Sequence, residues 1–169
     1  MPSATTILQF AVLGCLVGSV YALMGVGLSL LYGVSRILNF AHGTIFALGA
    51  YAYYYMASTL FTPWLALLLV VPLGFLIGSI VYWLLLTPVT GGHLQRPNDY
   101  MIVITIALAV VIEKGIILAL GAEVLRPPSL VNGSVAFAGL EIAMDRIVGF
   151  VGAGVLVGLL ALAVRFSAI

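Results

Sequence analysis

The chain has very few charged side chains. Only 7% of its 169 residues are Asp, Glu, Lys or Arg, whereas soluble domains carry about 25%. Hydrophobic residues make up 64%, which is more apolar surface than one globule of this length can bury, so lipid must solvate much of it. The net charge is +1 and there is no run of basic residues, which argues against nucleic acid as a partner. The composition therefore indicates an integral membrane protein.

Residues suited to covalent or metal chemistry are also scarce. The chain has one cysteine, Cys15, which cannot form an intrachain disulfide, and two histidines. A metal site of ordinary ligand number would need carboxylates from distant segments, so we predict no metal site and no cofactor. No serine has the flanking motif of a hydrolytic triad, and the sequence lacks the G-x-x-x-x-G-K-[ST] motif that binds nucleotide phosphates. We therefore predict no catalytic residues: the chain is not an enzyme and does not itself hydrolyse ATP.

Long apolar segments dominate what is present. A helix needs about 20 apolar residues to cross the hydrocarbon core of a membrane. Five segments meet or nearly meet this length, and the second is slightly short: 7–31, 44–60, 64–86, 100–120 and 147–164. They predict an all-α fold, a polytopic transmembrane helix bundle of about five spans. We see no domain boundary and expect residues 1–169 to form a single transmembrane domain.

The most polar cluster lies between the first two spans. Arg36, Asn39 and His42 are spaced three residues apart, so on a continuous helix they would share one face. A glycine stands at each end of segment 33–43. One interpretation is a short polar loop, and the other is a broken helix lining a pathway, since irregular backbone at membrane depth needs protein or water around it. These three residues and Gly43 are our candidate pathway or broken-helix residues.

A charged pair, Glu113 and Lys114, interrupts the fourth span. Neighbours in sequence lie about 100° apart on a helix, so we do not expect the two to face each other directly. Charges at membrane depth are costly and usually face protein or water. Lys114 can extend to the membrane surface while Glu113 pairs with a neighbour. Alternatively, Glu113 lines a pathway and meets a substrate ammonium group, which makes it the fifth candidate site residue.

Four tyrosines lie together on the second span, at positions 51, 53, 54 and 55. On a helix they point in several directions. Because aromatic residues with a polar tip favour the membrane interface, we interpret them as an interfacial belt and not as a ligand-binding cage.

The basic residues predict the orientation of the spans. With five spans, one side of the membrane receives Arg36, Arg96 and Arg165, and the other receives two arginines together with three acidic residues. Cytoplasmic loops carry an excess of Lys and Arg, so we place the first side in the cytoplasm. Glu113 then lies in the outer half of the membrane.

The segment from Tyr21 to Gly43, followed by Leu48-Gly49-Ala50-Tyr51, closely resembles the branched-chain amino acid ABC-transporter permeases of the LivH/LivM type. Its core is Asn39-Phe40-Ala41-His42-Gly43. The resemblance implies a permease subunit of an ABC importer, located in the bacterial inner membrane as a multi-pass protein. Such a subunit forms the transmembrane path for branched-chain or related amino acids. The implied partners are a second permease subunit, ATP-binding subunits, a periplasmic substrate-binding protein and the lipid bilayer.

The chain departs from the pattern of this family in two ways. The turn at Thr87-Pro88-Val89 lacks the basic pair that is usual there, and family members are considerably longer. They continue into a cytoplasmic segment that couples to the ATPase, and then into further spans. We therefore interpret the chain as an N-terminal portion of such a permease. Two alternatives stay open: a non-coupled structural membrane fragment, and a urea or amide permease.

Overall fold

The computed structural model describes residues 4–91, 97–137 and 140–166; Arg96, used above for the orientation, lies outside them. The described chain is mainly helical, and its two strands form one short hairpin. The helices are α1 (Ala4–Ser35), α2 (His42–Tyr55), α3 (Pro63–Val81), α4 (Thr87–Thr90), α5 (Pro97–Leu120) and α6 (Met144–Phe166). Two π-helical turns, Met56–Leu60 and Tyr82–Leu86, extend α2 and join α3 to α4. The strands β1 (Ser134–Phe137) and β2 (Leu140–Ala143) pair antiparallel, with Val135 opposite Ile142.

Among the described residues, four helices are long and apolar enough to cross a membrane: Thr6–Ser35, Pro63–Val89, Pro97–Leu120 and Met144–Phe166. They correspond to the first, third, fourth and fifth expected spans. The second expected span coincides with α2, which has only 14 residues before its π-helical turn of five. Its four tyrosines make it less apolar than the other four. The predicted all-α, polytopic transmembrane fold is confirmed.

The chain divides into two units, of which residues 31–128 form the first. Within it, α2 packs against α3 and α5. Its buried side chains include Ala41, Ala66, Val89, Met101 and Thr105. They are mostly small, and small side chains let helix backbones approach closely, which is a main source of attraction between helices in lipid.

The second unit comprises residues 1–30 and 129–169. Its hairpin runs directly into α6, and two hydrogen bonds fix this transition. The Met144 N–H donates to the Gly133 carbonyl at 3.0 Å, and the Val131 N–H donates to Asp145 Oδ1 at 2.9 Å. A carboxylate in the first turn of a helix also favours the positive end of the helix dipole.

Large apolar side chains stand exposed along the spanning helices. Phe75 on α3 is 79% exposed and Leu118 on α5 is 90% exposed. Exposure of this extent is costly in water, at about 25 cal/mol per Å² of apolar surface. It has no such cost in lipid, so the helix surfaces agree with the membrane environment that the composition predicts.

Candidate functional site

The segment between α1 and α2, which we call the junction segment, comprises residues 36–41 and is not helical. Helix α1 ends at Ser35, whose hydroxyl accepts a hydrogen bond from the Ile37 N–H at 3.2 Å. Arg36 follows with φ +56°, a left-handed conformation that residues other than glycine rarely adopt. Helix α1 therefore ends within the polar cluster, which agrees with both interpretations given above, a polar loop and a broken helix. The expectation that Arg36, Asn39 and His42 share one helical face was wrong, because helical spacing does not apply across this turn.

Asn39 shapes the end of the junction segment. Its Oδ1 accepts a hydrogen bond from the Ala41 N–H at 3.0 Å, and its backbone carbonyl accepts one from the His42 N–H at 3.2 Å. This local pattern is the Asx turn, by which asparagine satisfies backbone donors just before a helix. The Ala41 carbonyl in turn accepts bonds from the Thr44 hydroxyl and the Ile45 N–H, both at 2.9 Å. Asn39 thus helps the chain enter α2.

Thr105 anchors the junction segment to α5. Its Oγ1 accepts a hydrogen bond from the Phe40 N–H at 3.3 Å and donates to the Met101 carbonyl at 2.9 Å. Thr105 and Ala41 are both fully buried. Thr105 could not be predicted from the sequence, because it lies 65 residues from Phe40 and stands in an apolar run with no motif around it. A lone hydroxyl within such a run was the only available signal.

The other candidates of the junction differ in their surroundings. Arg36 and Gly43 are exposed, and His42, the first residue of α2, is half-buried. A Cβ added at Gly43 would meet no atom within 4 Å. Glu113 lies on a different element, well along α5. Thr44, which directly follows Gly43 in the sequence, lines the same cavity as Glu113.

This cavity, which we call the Glu113 cavity, has a volume of about 310 Å³. Helix α2 supplies one wall and α5 the other, and the lining residues are Thr44, Ala47, Tyr51, Glu113, Ile116, Ile117, Gly121 and Ala122. The lining is mainly apolar, with a carboxylate on α5 and a hydroxyl in the first turn of α2. Few polar groups placed in an apolar wall are typical of small-molecule sites, as is this volume.

Glu113 forms an ion pair with its neighbour in sequence. Lys114 Nζ lies 3.0 Å from Glu113 Oε1, and the two side chains are 67% and 54% exposed. Our expectation that adjacent residues would not meet was wrong, because their long side chains bridge the angle between them. At membrane depth a charge is costly unless it is paired. Lys114 keeps the Glu113 carboxylate paired, and another cation at that carboxylate would do the same.

A second cavity, the tyrosine cavity, has a volume of about 370 Å³. Its lining residues are Ala50, Tyr51, Tyr53, Tyr54, Ala122, Glu123, Val124, Leu125 and Pro127. Three of the four clustered tyrosines thus line a cavity, which their interpretation as an interfacial belt did not predict. The Tyr53 hydroxyl also donates a long hydrogen bond, 3.4 Å, to the Pro128 carbonyl. Tyr51 and Ala122 line both cavities, so the two are adjacent.

Gly121 makes the second wall of the tyrosine cavity possible. It ends α5 with φ +84°, and its N–H donates to the Ile117 carbonyl at 2.9 Å. Glycine is common at such left-handed helix ends, since it has no Cβ to clash. Beyond it, residues 122–125 and Pro127 line the tyrosine cavity together with tyrosines of α2. The helix ends at this glycine, so helical periodicity could not predict the contact.

Comparison with known proteins supports the family resemblance. Residues 10–168 match the family described as "Branched-chain amino acid transport system / permease component". The chain is 25% identical over 161 residues to the high-affinity branched-chain amino acid transport system permease protein BraD of Pseudomonas aeruginosa, which covers 88% of this chain and 49% of BraD. It is 28% identical over 130 residues to the corresponding LivH proteins of Salmonella typhimurium and Escherichia coli, covering 71% of this chain and 41% of each relative.

The chain therefore spans about half the length of the curated relatives that it matches. No solved structure is significantly similar to it. The matches, together with the four apolar helices, support a multi-pass membrane protein.

Proposed function

The chain belongs to the family of branched-chain amino acid transport permeases, and from this premise we propose that it is a permease subunit of an ABC importer. In this role it forms part of the transmembrane path for branched-chain or related amino acids. The observation that carries the proposal is the match over residues 10–168, which covers nearly the whole chain. The partners are a second permease subunit, two ATP-binding subunits and a periplasmic substrate-binding protein.

We propose that the Glu113 cavity lies on this path. A branched-chain amino acid has an ammonium group, a carboxylate and an apolar side chain, and the cavity offers a partner for each. Glu113 suits the ammonium group, and Ala47 and Ile117 suit the apolar side chain. Thr44 lies in the first turn of α2, where the positive end of the helix dipole favours the substrate carboxylate. Transporters use such helix N-termini, without any basic side chain, to bind anionic substrate groups.

Transport then follows alternating access. ATP hydrolysis on the separate subunits drives the two permease subunits between outward-open and inward-open states, and this chain performs no covalent chemistry. The substrate ammonium replaces Lys114 at Glu113, so that the carboxylate is paired both before and after the substrate arrives. This matters because an unpaired charge at membrane depth is costly. Release of the substrate restores the ion pair.

Assembly is tested first. We expect affinity purification of the chain from its native membranes in mild detergent to recover a second permease and an ATP-binding subunit. The recovered complex, reconstituted in liposomes with its substrate-binding protein, should take up L-leucine only when ATP is present. Recovery of the chain alone would favour a non-coupled fragment. Uptake of urea without ATP would favour a urea or amide permease.

The role of Glu113 is tested in the same liposomes. We expect Glu113→Gln to lower the rate of leucine uptake at limiting substrate by about fivefold to tenfold, because a charge-assisted hydrogen bond is lost from a partly exposed site. The matched control is Glu141→Gln, since Glu141 is exposed on β2 and lines neither cavity. Equal uptake by the two variants would contradict the proposed position of the path.

A further inference from the structure

The tyrosine cavity carries a carboxylate of its own. Among the described residues that line it, Glu123 is the only charged one, and Tyr51, Tyr53 and Tyr54 line it as well. Arg126, the basic residue nearest to Glu123 in the sequence, does not line the cavity. An anion placed beside aromatic rings, in a largely apolar cavity, favours a compact cation, because the face of an aromatic ring attracts positive charge. The cavity is therefore suited to a protonated amine.

Its position relates it to the path. Tyr51 and Ala122 line both cavities, and each cavity has one carboxylate, Glu123 in the first and Glu113 in the second. Tyr51 therefore lies where the two cavities meet. An ammonium group leaving one carboxylate would pass the Tyr51 ring on its way to the other, and the ring face would keep it partly stabilised during the step.

We propose that the tyrosine cavity is a second binding site for the ammonium group of the transported amino acid. Glu123 and the tyrosine rings hold this ammonium group. When it moves to or from the Glu113 cavity, it passes Tyr51, which lines both cavities. This inference rests on the proposed function and deepens it. Its volume of about 370 Å³ is near the lower end of small-molecule sites, which fits a ligand of amino-acid size. The apolar side chain of the ligand would lie against Val124, Leu125 and Pro127.

The test uses the full chain in phospholipid nanodiscs, with all eight tyrosines replaced by 3-fluorotyrosine and followed by fluorine NMR. Substitutions to Phe assign the resonances of Tyr51, Tyr53 and Tyr54. The probe is isopentylamine hydrochloride, which has the branched side chain and the ammonium group of leucine but no carboxylate. Isocaproate, which has the carboxylate and no ammonium group, is the matched probe of opposite charge.

We expect isopentylamine to shift the resonances of Tyr53 and Tyr54 in a saturable manner, and isocaproate to leave them unchanged at the same concentration. Glu123→Gln should weaken the apparent affinity reported by these two tyrosines roughly threefold to fivefold, as expected for an exposed charge pair. Glu141→Gln should leave it unchanged. Under Glu123→Gln, Tyr51 should still respond, because it also lines the Glu113 cavity.

The inference is overturned if Tyr53 and Tyr54 do not respond to isopentylamine, if isocaproate shifts them equally, or if Glu123→Gln binds the amine as wild type does. Failure of the proposed function has a different signature. In that case the reconstituted complex shows no ATP-dependent leucine uptake, or Glu113→Gln transports as well as Glu141→Gln, whatever the tyrosine resonances do. The two results can therefore be told apart.

Discussion

The hydrogen bond between the Phe40 N–H and Thr105 Oγ1 gives the sharpest quantitative prediction. Thr105→Val keeps the shape of a fully buried side chain but removes the acceptor 3.3 Å from the Phe40 nitrogen. A buried donor left without a partner costs about 1–3 kcal/mol, and in hydrocarbon there is no water to replace the lost acceptor. Because 3.3 Å is at the long end for such a bond, we expect the lower part of this range, about 1–2 kcal/mol.

Amide hydrogen exchange at Phe40 measures this cost directly. A local opening easier by about 1–2 kcal/mol should speed exchange roughly fivefold to thirtyfold, since 1.4 kcal/mol is a factor of ten. Thr105→Ser keeps the hydroxyl, so exchange at Phe40 should change much less. Thr59→Val is a further control, because its hydroxyl bonds only locally to the Tyr55 carbonyl. Exchange at Phe40 that is as slow in Thr105→Val as in Thr105→Ser would refute the reasoning.

Two further predictions concern turns, and thermal unfolding of the purified chain in detergent measures both. Asn39→Ala removes the acceptor for the Ala41 N–H and should cost about 1 kcal/mol, whereas Asn39→Asp keeps an acceptor oxygen and should cost less; equal costs would contradict the role of the Asx turn. Gly121→Ala places a Cβ at φ +84° and should destabilise by about 1 kcal/mol. Gly115→Ala, within α5 and with open space around it, should be neutral or stabilising, and a cost equal to that of Gly121→Ala would contradict this explanation.

The spanning helices could be predicted from the sequence because each apolar run is long and almost free of charge. The expected segment 100–120, for example, differs from α5 (Pro97–Leu120) by three residues at one end. The break before α2 was also predictable, since glycines and polar residues there interrupt the apolar pattern. Its internal geometry was not, because spacing arguments assume a helix, and the backbone at Arg36 turns out of it.

The two cavities lay beyond the reach of sequence patterns for a different reason. Glu113 could be singled out because a charge in an apolar run is conspicuous. Tyr51 and Thr44 could not be linked to it, since their meeting depends on how α2 packs against α5. Likewise, Glu123 stands in a connecting segment where a charged residue is ordinary, and only the turn at Gly121 places it beside the tyrosines. Contacts between distant segments decide both sites.

The most direct test of the central claim is photo-labelling with photo-leucine, a diazirine analogue of leucine, in native membranes that contain the assembled transporter. If this chain lines the path at the Glu113 cavity, illumination should attach the label to α2 and α5 near Ala47, Ile116 or Ile117, and excess L-leucine should prevent it. Labelling elsewhere on the chain, or labelling at these positions that excess L-leucine does not reduce, would contradict the claim.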